Sequence, residues 1–414
     1  MIGVSFFIES IYDNLTTSEL DTFKILYVIV GLFSVISFPF TNLNGVLTAY
    51  ERFVDLKVAD LFHKVFIVVT MVVALVLGYG VYALVIVNAV AGILTIIIKL
   101  VIIQIKTSIK INWKFKDRKM LKEIFGFSAW TTISSLAQRL IFNITPSIIA
   151  AVSATGSVGV AIFGLAQTIE GYIYTFATAI NGMFMPRISK IIHDGKKETD
   201  LLPLMIRIGR IQCMIIGILV VGFMALGKSF IVDIWNKPDF TQSYICAGLL
   251  IIPSFFYLPM QIAHTTLIVE NKVKLQAYVF VGMGVLNVVL SLLLSKHFGA
   301  IGASLSIFAA YMIRTVAMAI IYQKSLKLDM VKFFKETFIK ITPYLLVTFL
   351  VGIAMERFNP LSNDLVRFAV NGAVLVGCFG VLMLVKGFNQ YERNLVLGIF
   401  KKVGKILKIN KSME

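Results

Sequence analysis

Residues 81–104 have the sequence VYALVIVNAVAGILTIIIKLVIIQ. A helix needs about 20 mostly apolar residues to cross roughly 30 Å of hydrocarbon, so this stretch is long enough to span a bilayer. Comparable stretches recur along the chain and are separated by short polar connectors. We therefore predict an all-α integral membrane protein, because helices satisfy their own backbone hydrogen bonds where water is absent.

The composition of the whole chain agrees with this prediction. Its 414 residues are 58% hydrophobic and 15% charged, whereas soluble domains carry roughly 25% charged residues. The net charge of +17 is scattered over short connectors, which is typical of membrane topology signals, so we expect no nucleic-acid partner. The three cysteines lie in apolar runs, and the four histidines show no metal-ligand spacing, so we expect no disulfide, metal or cofactor.

Hydropathy predicts about eleven transmembrane helices. They cover residues 23–50, 59–78, 81–104, 125–152, 158–185, 205–227, 243–268, 276–296, 300–322, 338–355 and 366–386.

Lysine and arginine are concentrated in alternate connectors. The basic connectors are Arg52–Lys57, Lys106–Lys122, Arg187–Lys197, Lys272–Lys274 and Lys324–Lys335. The intervening connectors carry far fewer basic residues. The positive-inside rule therefore predicts that the basic connectors and the C-terminus are cytoplasmic, and that Met1 lies outside.

The long basic connector suggests two helical bundles. We predict a first lobe at 1–105 with about three spans, a connector at 106–123, a six-helix lobe at 124–323, two further spans at 324–387 and a basic amphipathic tail at 388–414. The tail alternates apolar residues with Lys401, Lys402, Lys405 and Lys408, which favours a helix in the interface against anionic lipid. A solvated basic tail is the alternative.

Several short motifs occur in the order found in one known family. GVLTAYERF at 45–53, GYG at 78–80 and ALV at 83–85 resemble the first bundle of polysaccharide flippases of the Wzx type, in the superfamily that includes MATE exporters and lipid II flippases. Further resemblances are FSAW at 127–130, PRISK at 186–190, GKSFIVDIW at 227–235 with Tyr244 and Ala247, NK at 271–272, and GAIGA at 299–303.

The resemblance implies two pseudo-symmetric six-helix lobes, so this chain would lack about the first three helices, and the outside start at Met1 fits that expectation. It also implies flipping of a polyprenyl-diphosphate-linked oligosaccharide across the bacterial cytoplasmic membrane, for surface polysaccharide such as the O-antigen of lipopolysaccharide. The expected partners are that substrate, membrane lipids and polysaccharide polymerase or assembly proteins.

Three ionisable residues lie deep in predicted spans, namely Arg139, Glu170 and Arg314. Such residues normally face a cavity or a partner. We predict a cationic cavity, in which guanidinium groups bind the diphosphate and neutral polar groups bind sugar hydroxyls. The predicted substrate-binding set is Arg139, Asn143, Gln167, Gln261, His264 and Arg314, with Gln138 and Asn181 near the same depth. The alternative is an Arg139–Glu170 ion pair between adjacent helices.

Transport by alternating access follows from this interpretation. The sequence contains no Walker-type phosphate loop, so we expect an ion gradient or membrane potential to drive transport, with Glu170 as the ion-coupling residue. We expect no enzymatic activity. The alternatives are a MATE-type small-molecule antiporter, a membrane glycan polymerase or ligase, and a scaffold that does not transport. Short outer connectors argue against the polymerase or ligase, which would need a sizeable outer loop.

Overall fold

The computed structural model describes residues 17–109, 117–181, 201–235, 240–394 and 398. Every regular element in these ranges is helical, which confirms the predicted all-α fold. The PRISK motif and the lysines of the basic tail lie outside the described residues. The chain divides into two compact units, Met1–Lys116 and Asp117–Glu414, and the division falls within the predicted basic connector.

The first unit contains four described α-helices. They are α1 (Thr17–Ser37), α2 (Leu43–Ala49), α3 (Phe53–Val76) and α4 (Gly80–Lys106), and a 3-10 turn, Phe38–Asn42, separates α1 from α2. Pro39 lies at the start of that turn. Because proline has no backbone N–H and clashes with the preceding turn, the long α1 helix ends just before it.

The second unit begins with a capped helix and contains nine described α-helices. These are α5 (Arg118–Val152), α6 (Gly156–Asn181), α7 (Leu201–Ser229), α8 (Thr241–Tyr257), α9 (Gln261–Val269), α10 (Val273–Ser325), α11 (Met330–Phe334), α12 (Thr342–Phe358) and α13 (Asp364–Leu382). The Asp117 carboxylate accepts hydrogen bonds from the backbone N–H groups of Lys119 and Met120 at 2.9 and 3.1 Å, and so caps α5.

Helix α10 is a hairpin of two antiparallel spans. Gly299 interrupts it with φ +56° and ψ −132°, a conformation that side chains rarely adopt. The Lys272 ammonium donates to the Ser325 carbonyl at 3.0 Å, so the two ends of the hairpin meet. A Cβ on Gly302 would lie 2.2 Å from the Leu294 carbonyl oxygen, so only glycine allows the two halves to approach this closely.

Nine helical stretches among the described residues are long and apolar enough to cross a membrane. One of them is α10, which supplies the two predicted spans 276–296 and 300–322. Helix α6 corresponds to the predicted span 158–185 but is less apolar than those nine. Every predicted span therefore has a helical counterpart in the part of the chain that the structure describes.

A buried arginine joins several elements of the second unit. Arg210 on α7 donates from Nε and Nη2 to the two carboxylate oxygens of Glu392, at 2.5 and 3.0 Å. It also donates to the backbone carbonyls of Glu336 and Gly387, each at 2.9 Å. Both charged side chains are at least 95% buried, so this contact fixes the start of the C-terminal segment against α7.

We expect Glu392→Leu to destabilise the protein by about 3–5 kcal/mol, because it leaves the Arg210 charge buried without its counter-charge. Thermal unfolding of the purified protein in detergent would show a lower melting temperature. The double variant Arg210→Met/Glu392→Leu should recover much of the loss, and Lys340→Gln, which breaks the exposed pair with Glu336, should change little. A double variant as unstable as Glu392→Leu would contradict this account.

Candidate functional site

Helix α5 carries a polar stripe near its middle. Ser135, Gln138, Arg139 and Asn143 recur at spacings of three and four residues, which places them on one side of an α-helix. Phe142 lies within the same stripe.

Helix α6 has a matching stripe formed by Gln167, Glu170, Gly171 and Tyr174. These residues follow the same helical spacing, and α6 packs directly against α5. The two stripes face a common space. Both stripes lie near the middle of their helices, many residues from either end.

The two stripes line a cavity of about 520 Å³ in the second unit. Tyr257, the last residue of α8, and Tyr311, in the second half of α10, complete the lining. Polar and aromatic side chains therefore meet at one place within a bundle that is otherwise mostly apolar. Tyr257 directly precedes the 3-10 turn Leu258–Met260, so the span that supplies it is interrupted beside the cavity, as in transporter sites built on broken helices.

Arg139 and Glu170 share this cavity but have different surroundings. Arg139 is exposed to the cavity and makes no ion pair with any described residue. Glu170 is only 7% exposed, and the Ser254 hydroxyl lies 3.5 Å from its Oε1 atom. The alternative Arg139–Glu170 ion pair is therefore not formed within the described residues, although both side chains line the cavity.

Aromatic rings form one wall of the cavity. The Tyr257 and Tyr311 rings lie 5.5 Å apart between centroids, and Phe142 lies 6.0 Å from Tyr311. Both tyrosines are more than 90% buried. Because they also line the cavity, the wall is aromatic and closely packed.

Arg314 lies on the far side of this aromatic wall. Its guanidinium carbon is 4.3 Å from the Phe280 ring centroid, 4.7 Å from that of Tyr257 and 5.3 Å from that of Tyr311. The side chain is 7% exposed, and its Nη1 atom is buried with no hydrogen-bond partner in the described part of the chain. Cation–π contacts with three rings thus hold the charge next to the cavity but not in its lining.

The predicted substrate-binding residues therefore separate into two groups. Arg139, Asn143 and Gln167 line the cavity with Glu170. Arg314, His264 and Gln261 do not line it. His264 stacks on Phe280 at 6.2 Å, and Gln261 is the first residue of α9.

Some chemistry-bearing residues were not identified by sequence reasoning. Tyr174 lies one helical turn after Glu170, so continuing that polar stripe would have found it. Tyr257 and Tyr311 come from distant helices, and no local pattern signals them. In the first unit, Lys99 on α4 is also buried within a span, where it donates to Asp60 and Asn44 at 2.8 Å each. A lysine inside the apolar stretch 81–104 was itself a signal for this pair.

The cavity has the chemistry of a binding site for a polar ligand. Its lining combines one guanidinium, one carboxylate, three amides and several hydroxyls. Within the described ranges, no cluster of three or more His, Cys, Asp or Glu side chains is arranged to hold a metal ion.

The family model described as polysaccharide biosynthesis protein matches residues 7–211 of this chain. The chain is thus similar to this polysaccharide biosynthesis family over its N-terminal half. The matched segment includes α5 and α6, which supply both polar stripes of the cavity.

One similar protein and one similar structure add to this finding. An uncharacterized membrane protein of Methanocaldococcus jannaschii is 26% identical over 185 residues, covering 44% of this chain and 42% of that protein. The match thus spans less than half of the curated relative. Among solved structures, the lipid II flippase MurJ in an inward closed conformation is 15% identical, with a TM-score of 0.57 over 92% of this chain and 79% of MurJ. At this identity the likeness concerns the fold alone, and it confirms the predicted polytopic helical architecture.

We expect a cysteine at position 135 to react with a charged methanethiosulfonate reagent, because Ser135 faces the cavity and a thiolate forms only where water is present. The experiment uses Ser135→Cys in a variant whose native cysteines are replaced by alanine, in lipid vesicles. Ile141→Cys, which is fully buried, and Leu136→Cys, which is exposed on an apolar face, are the matched controls. If the cysteine at position 135 reacted as slowly as the cysteines at positions 136 and 141, the cavity would be dry.

Proposed function

We propose that this protein flips a polyprenyl-diphosphate-linked oligosaccharide across the bacterial cytoplasmic membrane by alternating access of the cavity in its second unit. The product would serve surface polysaccharide synthesis, such as that of O-antigen, with polymerase or assembly proteins as further partners. The topology predicted from charge places the C-terminus in the cytoplasm. The match of residues 7–211 to the polysaccharide biosynthesis family supports this proposal.

The observation that carries the proposal is Arg139, which has no ion-pair partner among the described residues and lies beside several neutral polar groups. A guanidinium binds phosphate oxygens through two parallel hydrogen bonds, so Arg139 suits the diphosphate. The amides of Gln138, Asn143 and Gln167, with nearby hydroxyls, can both donate to and accept from sugar hydroxyls. The cavity would thus receive the polar head of the substrate.

The lining also refines the expected cationic cavity. Arg139 supplies the positive charge in the lining, whereas Arg314 is reached only past Tyr257 and Tyr311. We propose that Arg139 makes the direct diphosphate contact and that Arg314 contributes its field from behind the tyrosines. His264 and Gln261 would join the site only if the bundle rearranges during transport.

We expect Arg139→Ala to reduce transport by about 30-fold or more, since losing a charged partner from a desolvated contact costs at least ~2 kcal/mol. The measurement is surface polysaccharide in cells that lack their own flippase, at equal protein levels. Arg139→Lys should retain part of the activity, because lysine keeps the charge but loses the bidentate geometry. Gln138→Ala, which removes a neutral contact, should have a smaller effect. Full activity of Arg139→Ala would refute the diphosphate contact.

Glu170 is the proposed ion-coupling residue, because its carboxylate is buried at the cavity and has no basic partner among the described residues. In vesicles, an imposed proton gradient should increase the transport rate of the wild-type protein. We expect Glu170→Gln to lose this increase while still binding substrate. Glu356→Gln is the matched control, since Glu356 accepts from Ser229 and Asn371 outside the cavity. Unchanged gradient dependence in Glu170→Gln would exclude this role.

One feature of the site favours a second candidate, a small-molecule antiporter of the MATE type. A carboxylate surrounded by tyrosines, as Glu170 is by Tyr174, Tyr257 and Tyr311, suits an organic cation. Transport of a lipophilic cation that needs Glu170 but tolerates Arg139→Ala would support the antiporter over the flippase.

A further inference from the structure

The surface of the second unit has three described grooves lined almost wholly by apolar side chains. One, of about 370 Å³, lies between α5 and the first half of α10, and we name it the α5–α10 groove. Another, of about 270 Å³, lies among α7, α8 and α12, and a third, of about 260 Å³, lies between α7 and α13.

The α5–α10 groove shares a helix with the polar cavity. Leu136 and Leu140 line the groove, and their chain neighbours Ser135 and Arg139 line the cavity. Successive residues of an α-helix are about 100° apart, so the apolar stripe and the polar stripe occupy adjoining sectors of α5. The other two grooves receive no residue from α5 or α6.

The shape of this groove suits an extended hydrocarbon chain. Gly284 on α10 forms part of its floor, and a Cβ there would lie 3.7 Å from the Ala137 carbonyl oxygen on α5. The two helices therefore approach closely at the floor. Leu140 and Val285 on the rims are 47% and 60% exposed, so their side chains are not packed against the rest of the second unit.

The chemistry of the proposed substrate links the two sites. The polyprenyl chain is covalently attached to the diphosphate, so a diphosphate at Arg139 requires the chain to leave within a few bond lengths of that residue. Extending the chain through the polar cavity would leave its hydrocarbon in water, at about 0.8 kcal/mol per CH₂. The adjoining apolar stripe of α5 offers the alternative path.

We propose that the α5–α10 groove binds the diphosphate-proximal isoprene units of the lipid carrier while the adjoining polar stripe of α5 holds the polar head. Helix α5 then recognises both halves of the substrate. This inference rests on the proposed flippase function and assigns a second binding surface to it.

The test fills the groove and varies the length of the lipid. Gly284→Leu places a side chain in the groove, and its Cβ meets only an ordinary contact. Gly380→Leu is the matched control, since Gly380 is helical, lines the α7–α13 groove and has nothing within 4 Å of a built Cβ. Binding is measured with purified full-length protein in lipid nanodiscs, using oligosaccharyl diphosphates that carry either a long polyprenyl chain or a single-isoprene chain.

We expect wild-type protein to prefer the long-chain substrate. Gly284→Leu should weaken long-chain binding about tenfold, the loss expected when about two CH₂ groups leave their site. It should leave single-isoprene binding unchanged, and Gly380→Leu should leave both unchanged.

Two results with the glycine variants would overturn the inference. One is a loss in Gly284→Leu that is equal for both chain lengths, and the other is an equal loss of long-chain binding in Gly380→Leu. If wild-type protein binds both substrates without regard to chain length, the groove assignment fails and the flippase function stands. If wild-type protein binds neither, the flippase function fails first.

Discussion

The absence of water from the hydrocarbon of a membrane is the constraint on which this structure depends. Every buried polar group must find a partner in the protein or face a wet cavity. Two contacts in the second unit meet this requirement: the Asn287 amide donates to Thr145 across α10 and α5 at 3.3 Å, and the Ser243 hydroxyl donates to the Ile162 carbonyl at 3.0 Å. The polar stripe on α5 has no such side-chain partners among the residues that the structure describes, which indicates a place where another molecule supplies them.

Three arginines of the second unit lie in different environments, and these environments separate structural from binding roles. Arg210 donates hydrogen bonds to a carboxylate and two backbone carbonyls, so it stabilises the packing of these elements. Arg314 is enclosed by aromatic rings and keeps one buried donor that has no hydrogen-bond partner among the described residues. Arg139 faces the cavity with no ion pair among the described residues. Charge at membrane depth therefore identifies candidates for a site, and the neighbours decide which of them can bind a ligand.

Much of the fold could be predicted from the sequence because hydrophobic length and helical periodicity are local properties. The eleven spans follow from apolar runs, and Asn143, Gln167 and Glu170 could be placed with Arg139 because each lies at mid-span on one of two consecutive helices. The position of Arg314 behind the tyrosines could not be predicted, since it depends on how α8 packs against the second half of α10. The Lys99–Asp60 pair was not predicted, although a lysine within the apolar stretch 81–104 is a local signal for a buried partner.

The composition of the cavity suggests how one site could accept different glycans with a common anchor. Amides and hydroxyls both donate and accept hydrogen bonds, and their side chains rotate to suit the partner, so they adapt to sugars whose hydroxyls differ in position. A guanidinium only donates and has a rigid planar fork, so it fits the diphosphate and tolerates little variation. The apolar stripe on α5 can bind any hydrocarbon chain, whatever sugars the lipid carries. In the proposed function, the guanidinium and the apolar stripe of α5 would contact the diphosphate and the hydrocarbon, which every lipid-linked glycan shares. The amides and hydroxyls of the cavity would contact the sugars, which vary.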